Sequence, residues 1–365
     1  MATHKGFRIT LAEVTAVELG LPVVRGTPDA STRPNKPELV DRFGRVATDL
    51  RVSLTDRCNL RCTYCMPAEG LDWLPKSEVL SDDELARLLA IAVTRLGITD
   101  VRFTGGEPLL RRGLENVIAA TAALTPRPKI SMTTNGLSLA RRAAGLVEAG
   151  LNRVNVSLDT LDRARFAELT RRDRIEDVFE GMAAAAAAGL QPVKINSVLL
   201  RGVNEDEAVP LLRFAVEHGY QLRFIEQMPL DPQHGWDRSS MVTAAEILAS
   251  LSESFSLTPE PVARGGAPAE RWLVDGGPAV VGVIASVTRP FCAACDRTRL
   301  TADGQLRNCL FSQSETDLRA PLRDGASDEE IAEMWRATMW VKAAGHGIND
   351  VGFHQPDRPM SAIGG

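Results

Sequence analysis

The chain has 365 residues, 44% of them hydrophobic and 24% charged, enough to bury a sizeable core in one large α/β domain with extensions or in two domains. Its net charge of −5 argues against generic binding to nucleic acid or to an anionic membrane surface. No apolar run is long enough to span a bilayer and Met1–Thr10 holds no apolar signal core, so a cytoplasmic location is expected, where the six cysteines read as metal or redox ligands rather than disulfides.

Residues 1–41 carry Pro22, Pro28, Pro34 and Pro37 and read as an irregular N-terminal extension, flexible or loosely docked. From residue 42 a strand–helix alternation begins. Strands are expected over Arg45–Leu54, Asp100–Thr104, Lys129–Thr134, Arg153–Asp159, Val193–Leu200 and Gln221–Gln227. Helices are expected over Asp82–Leu96 with Ser81 as cap, Gly113–Leu124, Leu139–Ala149, Ile175–Ala188, Glu205–His218 and Thr243–Leu251. Gly150, Gly189 and Gly219 stand where three of these helices should stop.

Repeated strand–helix units demand parallel strands with helical crossovers. Six of them fit an α/β incomplete (β/α)6 TIM-like barrel over 42–255, with a flat doubly wound sheet as the structural alternative. Over 256–365 the pattern changes. Ala279–Ala285 looks like an antiparallel or irregular strand, Ser327–Ala344 looks helical, and Gly345–Gly365 reads as irregular.

The cysteines form two triplets with none left over: Cys58, Cys62 and Cys65 spaced C-x3-C-x2-C, and Cys292, Cys295 and Cys309 spaced C-x2-C-x13-C. Structural zinc usually takes four ligands, and neither triplet has a local histidine to complete it. Three thiolates can hold a [4Fe–4S] cluster and leave one iron open to a cofactor or substrate. Zinc stays the alternative for the C-x2-C pair of the second triplet.

The run Thr55-Asp56-Arg57-Cys58-Asn59-Leu60-Arg61-Cys62-Thr63-Tyr64-Cys65-Met66-Pro67, directly after the first strand, resembles the cluster loop of radical S-adenosylmethionine enzymes. Thr104-Gly105-Gly106-Glu107-Pro108 after the second strand is similar to that superfamily's glycine loop. Cys292-Ala293-Ala294-Cys295-Asp296-Arg297-Thr298-Arg299 with Cys309, and the Gly364-Gly365 terminus, resemble the GTP 3′,8-cyclase family of molybdenum-cofactor biosynthesis (MoaA type). The likeness runs over about residues 42–365.

The resemblance implies two [4Fe–4S] clusters, on the C-terminal extension as well as the barrel, with S-adenosylmethionine as cofactor and GTP as substrate. It implies that Tyr64, Gly106, Ser157 and Met228 contact S-adenosylmethionine, and that Arg51, Arg102, Thr133, Lys194, Arg223, Arg297, Thr298 and Arg299 contact GTP. A triphosphate's charge suits arginine forks, and a cation inside a barrel is costly unless paired. Most of these positions map to the strands of the alternation, where barrel enzymes keep their sites at the C-terminal strand ends.

The implied reaction takes the ribose 3′ hydrogen with a 5′-deoxyadenosyl radical, closes the ring onto C8 and reduces it to 3′,8-cyclo-7,8-dihydro-GTP. An electron donor, the next enzyme of the pathway and a second copy of the chain are the implied partners. One position departs from the pattern: Asp100 stands where some relatives carry Lys. The rival reading is another radical S-adenosylmethionine enzyme with an auxiliary cluster, such as a peptide-modifying maturase. A non-enzyme reading is an electron-transfer or zinc-stabilised protein.

Overall fold

The computed structural model describes residues 24–25 and 29–364; most of the expected N-terminal extension, and Gly365, lie outside the described residues. Thirteen strands form one sheet: β1 (Val24–Arg25), β2 (Asp49–Ser53), β3 (Asp100–Thr104), β4 (Lys129–Thr134), β5 (Arg153–Ser157), β6 (Lys194–Val198), β7 (Gln221–Ile225), β8 (Leu257–Pro259), β9 (Glu270–Val274), β10 (Val280–Ile284), β11 (Arg297–Leu300), β12 (Gln305–Arg307) and β13 (Ser314–Asp317). Their order is β1-β13-β12-β11-β2-β3-β4-β5-β6-β7-β10-β9-β8.

The six strands expected from the alternation all form and pair in parallel, β2 through β7. The helices between them follow the apolar spacing. Asp82–Leu96 is closed at its start by a Ser81–Glu84 capping box and at its end by Gly97 in the left-handed conformation. A further helix, Arg163–Thr170, capped by Asp162, lies in a stretch where the sequence analysis placed none.

Two C-terminal strands extend the parallel array, one at each edge: β10 pairs in parallel with β7, and β11 with β2. Val280–Ile284 is therefore parallel to one neighbour and antiparallel only to β9, which corrects the expectation for this segment. The terminal segment is also not wholly irregular, since Met360–Ile363 makes one helical turn. Residues 29–41 are docked rather than loose: Leu39 is fully buried, Arg336 donates to the Pro37 carbonyl (3.1 Å) and Trp340 to the Thr32 hydroxyl (3.2 Å).

The strands alternate in a telling way. Val101 and Phe103 of β3, and Val154 and Val156 of β5, are buried in the apolar core with the helices. Arg102, Asn155, Asn196 and Arg223 take the opposite face. Parallel strands covered by helices on both faces are usually apolar throughout. Here one face is apolar and the other cationic, so the second face borders a polar cavity. Side chains of β2, β3, β4, β6, β7, β10 and β11 line that one cavity. A flat eight-stranded array would hold its edge strands about 34 Å apart at ~4.8 Å per strand, so the sheet curls around the cavity. No helix among the described residues is long and apolar enough to cross a membrane.

Candidate active site

The first cysteine triplet lies on the loop after β2, at the C-terminal ends of the parallel strands. The glycine loop after β3 is packed directly on it. A Cβ on Gly105 would fall 2.4 Å from the Thr55 carbonyl oxygen, and one on Gly106 2.3 Å from that of Arg57. Gly106 N donates to Thr55 O and Glu107 N to Arg57 O, both at 2.8 Å. The glycines are thus required for the two loops to touch, as well as for any approach to a ligand. Glu107 is fully buried and accepts from Thr134 Oγ1 (2.6 Å), Asn135 N (2.7 Å) and Leu109 N (3.0 Å). Burial raises its carboxyl despite these bonds.

Burial also raises the thiols of the first triplet, Cys65 to about 12. Tyr64 OH donates to Asp159 Oδ2 at 2.6 Å, and Val198 N donates to Asp159 Oδ1 at 2.8 Å. Burial pushes the Asp159 carboxyl up to about 6, against the opposing bond from Tyr64.

The second triplet lies at the other end of the strands. Cys292 and Cys295 sit on the link 285–296, which joins β10 at one edge of the parallel array to β11 at the other. Thr48 N (2.9 Å) and Asp49 N (3.0 Å) both donate to Asp296 O, which pins the link beside the N-terminal end of β2. Arg45 donates to the Cys292 carbonyl at 2.7 Å. Cys309 follows β12 and faces the same cavity.

All six cysteines are free thiols. Cys58, Cys62 and Cys65 line one cavity, and Cys292, Cys295 and Cys309 another. Among the described residues, no three His, Cys, Asp or Glu side chains gather closely enough to hold a single metal ion. Each triplet offers three thiols around one cavity, a ligand number that would leave one iron of a [4Fe–4S] cluster open.

Between the triplets the cavities run together. A third cavity, lined by Tyr64, Ser157, Asp159, Met228 and Asn196, shares Thr133 and Met360 with both of the others. Tyr64, Gly106 and Ser157 face the first cavity, while Arg51, Arg102, Arg223, Arg297 and Arg299 face the second. Two expected residues line none of these cavities. Thr298 is turned to the other face of β11, where its hydroxyl accepts from Trp335 Nε1 (3.1 Å). Lys194 is the first residue of β6 and lies below the others.

The cations do not sit at C-terminal strand ends, which corrects that expectation. Arg51, Arg102 and Arg223 are each the middle residue of a five-residue strand; β2 starts at Asp49 rather than Arg45, which makes Arg51 central in it rather than late. They form a belt deeper in the channel. Arg51 is paired with Asp49 at 2.9 Å. Arg102 has only the Ser131 hydroxyl at 3.2 Å. The side chains of Lys194 and Arg223 have no hydrogen bond or ion pair among the described residues.

Burial and mutual repulsion show in their acidities. Burial first, then Arg223 and Arg153, brings Lys194 down to about 6. Burial and Arg153 bring Arg223 to about 10, and burial and Arg51 bring Arg299 to about 9. Burial opposes ionisation of Asp49, yet Arg51, Arg102 and Arg297 hold it at about 2. Excess buried positive charge of this kind is stabilised by an anionic ligand.

The sequence matches the Radical SAM superfamily over residues 52–215 and the Molybdenum Cofactor Synthesis C family over residues 220–348. A curated "GTP 3′,8-cyclase" of Mycobacterium sp. (strain KMS) is 65% identical over 352 residues, 96% of this chain and 100% of that one. Another, of Streptomyces coelicolor, is 67% identical over 337 residues, 92% of this chain and 99% of that one. The chain belongs to the GTP 3′,8-cyclase family. Membership of the radical S-adenosylmethionine superfamily implies a [4Fe–4S] cluster and S-adenosylmethionine as its cofactors. The solved structure of Streptococcus suis SuiB bound to precursor peptide SuiA aligns with a TM-score of 0.50 at 15% identity, covering 81% of this chain and 66% of that one. That likeness concerns the fold alone.

Several residues of this family member's channel escaped the sequence analysis. Asp159 falls two residues after Ser157 on the same strand face, a period-two signal that could have found it. Arg153 lies four residues before Ser157 on that face, and its buried Nε has no partner. Met360 and Ser361 come from the far terminus, and no local signal points to them. They arrive because Met360 N donates to Leu230 O (3.0 Å) and Arg358 pairs with Asp303 (2.8 Å) and Glu315 (2.6 Å).

Proposed function

We propose that this chain converts GTP to 3′,8-cyclo-7,8-dihydro-GTP in a single channel, with S-adenosylmethionine at the first triplet and the nucleotide at the second. The observation that carries the reading is the pair of cysteine triplets at opposite ends of one channel with a belt of under-neutralised cations between them. The scaffold is read as an incomplete (β/α)6 barrel over 42–255, with the segment 256–365 closing it and holding a second [4Fe–4S] cluster. Residues 1–41 are its N-terminal extension.

When bound, the first cluster offers an open iron to the methionine moiety and, with one electron, supplies the 5′-deoxyadenosyl radical. Cys58, Cys62 and Cys65 hold that cluster. Tyr64, Gly106, Ser157 and Met228 orient S-adenosylmethionine, and Asp159 fixes the Tyr64 ring by its short hydrogen bond. Arg51, Arg102, Arg223, Arg297 and Arg299 take the triphosphate, with Thr133 between the two ligands and Lys194 reaching toward the phosphates from the start of β6. Thr298 contributes through its backbone, its side chain being held under Trp335. Cys292, Cys295 and Cys309 would hold the second cluster, which would leave one iron open to the guanine base. The apolar side chains of Leu60, Met66, Phe166 and Leu169 around the first cavity help keep water from the radical. A cytoplasmic electron donor supplies the reductant. The next enzyme of molybdenum-cofactor synthesis receives the product, and a second copy of the chain completes a homodimer.

The test is anaerobic incubation of the reconstituted chain with S-adenosylmethionine, dithionite and each nucleoside triphosphate in turn. GTP alone should give cyclised nucleotide together with 5′-deoxyadenosine. Equal turnover of ATP, or 5′-deoxyadenosine with no cyclised product from any nucleotide, would sink the reading.

Two further outcomes follow from the cationic belt. Arg299→Ala should raise the KM for GTP about tenfold to a hundredfold, because a buried charge-assisted bond is worth about 1.5–3 kcal/mol. Affinity for S-adenosylmethionine should hold; a parallel loss of both ligands would point to misfolding.

The second outcome is proton uptake. Lys194 titrates at about 6 in the free chain, below the value of an unfolded lysine. Its folded pKa is depressed, so at pH 7.5 it is mostly neutral. A bound triphosphate favours the ammonium and raises that pKa, so GTP binding should take up close to one proton. Calorimetry in two buffers of different ionisation enthalpy measures this directly, and Lys194→Met should remove it. Proton release, or uptake unchanged in the variant, contradicts the placement of Lys194 in the phosphate field.

A further inference from the structure

We propose that Lys342 is a positioning residue for the second iron–sulfur centre, donating a hydrogen bond to the Cys295 sulfur and raising the reduction potential of that centre. The proposal rests on the reading that Cys292, Cys295 and Cys309 hold a cluster.

Lys342 follows the helix Asp328–Trp340, which packs on the outer face of β12 and β13. It is 4% exposed. Its Nζ lies 3.2 Å from Cys295 Sγ, 2.9 Å from Arg297 O and 3.4 Å from Cys295 O. Among the described residues no carboxylate pairs with it. A buried ammonium is expensive unless its donors are met by acceptors. Here two carbonyls and the Cys295 sulfur meet them, so a buried charge is placed on one cysteine sulfur. Arg297 adds a second cationic donor to the same sulfur, with Nη1 at 3.8 Å.

The first triplet is built differently. Its sulfurs meet neutral donors: Leu60 N at 3.5 Å and Asn135 Nδ2 at 3.8 Å on Cys58, and the Ser361 backbone on Cys65. The nearest cation, Arg61, donates to the carbonyls of Cys58 and Leu60 and to no sulfur. One sulfur of the second triplet thus has two cationic donors, while the donors on the first triplet are neutral.

Reduction adds one electron to a cluster already surrounded by thiolates. A positive charge and an N–H···S bond favour the more negative, reduced state, so the potential rises. The second centre is therefore the more easily reduced of the two, with Lys342 the nearer of the two cations on its sulfur.

The experiment is an anaerobic redox titration of the fully reconstituted chain, with dithionite as electron source and electron paramagnetic resonance as readout. The first centre is identified as the signal that changes when S-adenosylmethionine is added. In wild type the second signal should appear at the higher potential. Lys342→Met should move that midpoint to lower potential, leaving the first midpoint and the iron content unchanged. Lys342→Gln, which keeps a neutral N–H donor, should fall between, and Lys342→Arg should restore most of the shift. An unmoved second midpoint in Lys342→Met with full iron overturns the proposal. A wild-type chain that forms one centre only overturns the underlying reading and the proposal with it.

Discussion

Replacing Cys58, Cys62 and Cys65 together with alanine is expected to abolish cleavage of S-adenosylmethionine and to leave about four irons of about eight after anaerobic reconstitution. The argument is one of coordination. The three thiols line a single cavity with Gly105, Gly106, Ser157 and Asp159, and no other cysteine, histidine or free carboxylate cluster lies there to replace them. Their burial raises all three thiols, so a metal is needed to hold them as thiolates. The loop should keep its place without them. It is anchored by Gly106 N on Thr55 O and by Arg61 N and Thr63 N on Thr170 O and Leu169 O, bonds that do not involve sulfur. The melting temperature of the metal-free chain should therefore change little, while 5′-deoxyadenosine production falls to background. Persistent cleavage in the triple variant would place the radical chemistry elsewhere.

The second large effect is expected at the other end of the chain. Deleting Gly364-Gly365, or adding a C-terminal tag, should reduce cyclised product at least tenfold with iron content and melting temperature retained. Chain ends usually tolerate trimming, but this one is threaded into the channel. Ile363 is fully buried, and the Gly364 carbonyl accepts a hydrogen bond from Arg299. A Cβ on Gly364 would fall 2.5 Å from both Ser53 Oγ and Thr104 Cγ2, at a φ of +83° that side chains avoid. Gly364→Ala should therefore push the tail away from the ends of β2 and β3 and copy much of the deletion. Because the tail meets Arg299 directly, its loss frees that guanidinium from the position it holds. Full cyclase activity in both variants would show an ordinary frayed end.

Much of the scaffold was legible because it is local. The helix Asp82–Leu96 follows from its apolar spacing and the Ser81–Glu84 box, and Lys129–Thr134 from its β-branched run between turn signals. The cysteine loop and the glycine loop were legible for a similar reason: both lie directly after strands, so their chemistry and their place in the fold share one stretch of chain. Arg102 was named through the family resemblance, and the structure sets it on the cavity face between the buried Val101 and Phe103.

What failed was the distant pairing outside the six-strand alternation. Nothing near Val280–Ile284 says that it will find the open edge of β7, nor near Arg297–Leu300 that it will find β2. Those choices depend on which backbone edges the first six strands leave unsatisfied. The place of Arg51 within its strand turned on where β2 begins, a boundary that periodicity locates poorly.

The sequence by itself determined the strand–helix order, the two sets of three thiols, and the excess of cations on one face of the strands, because each is written in residue type and short spacing. The tertiary structure alone decided that the two triplets face opposite ends of one channel, that the last residues return to fill it, and that Lys342 lies on Cys295. Those relations join segments tens to hundreds of residues apart. They are set by the curl of the sheet and by the burial that the curl requires, which no local pattern encodes.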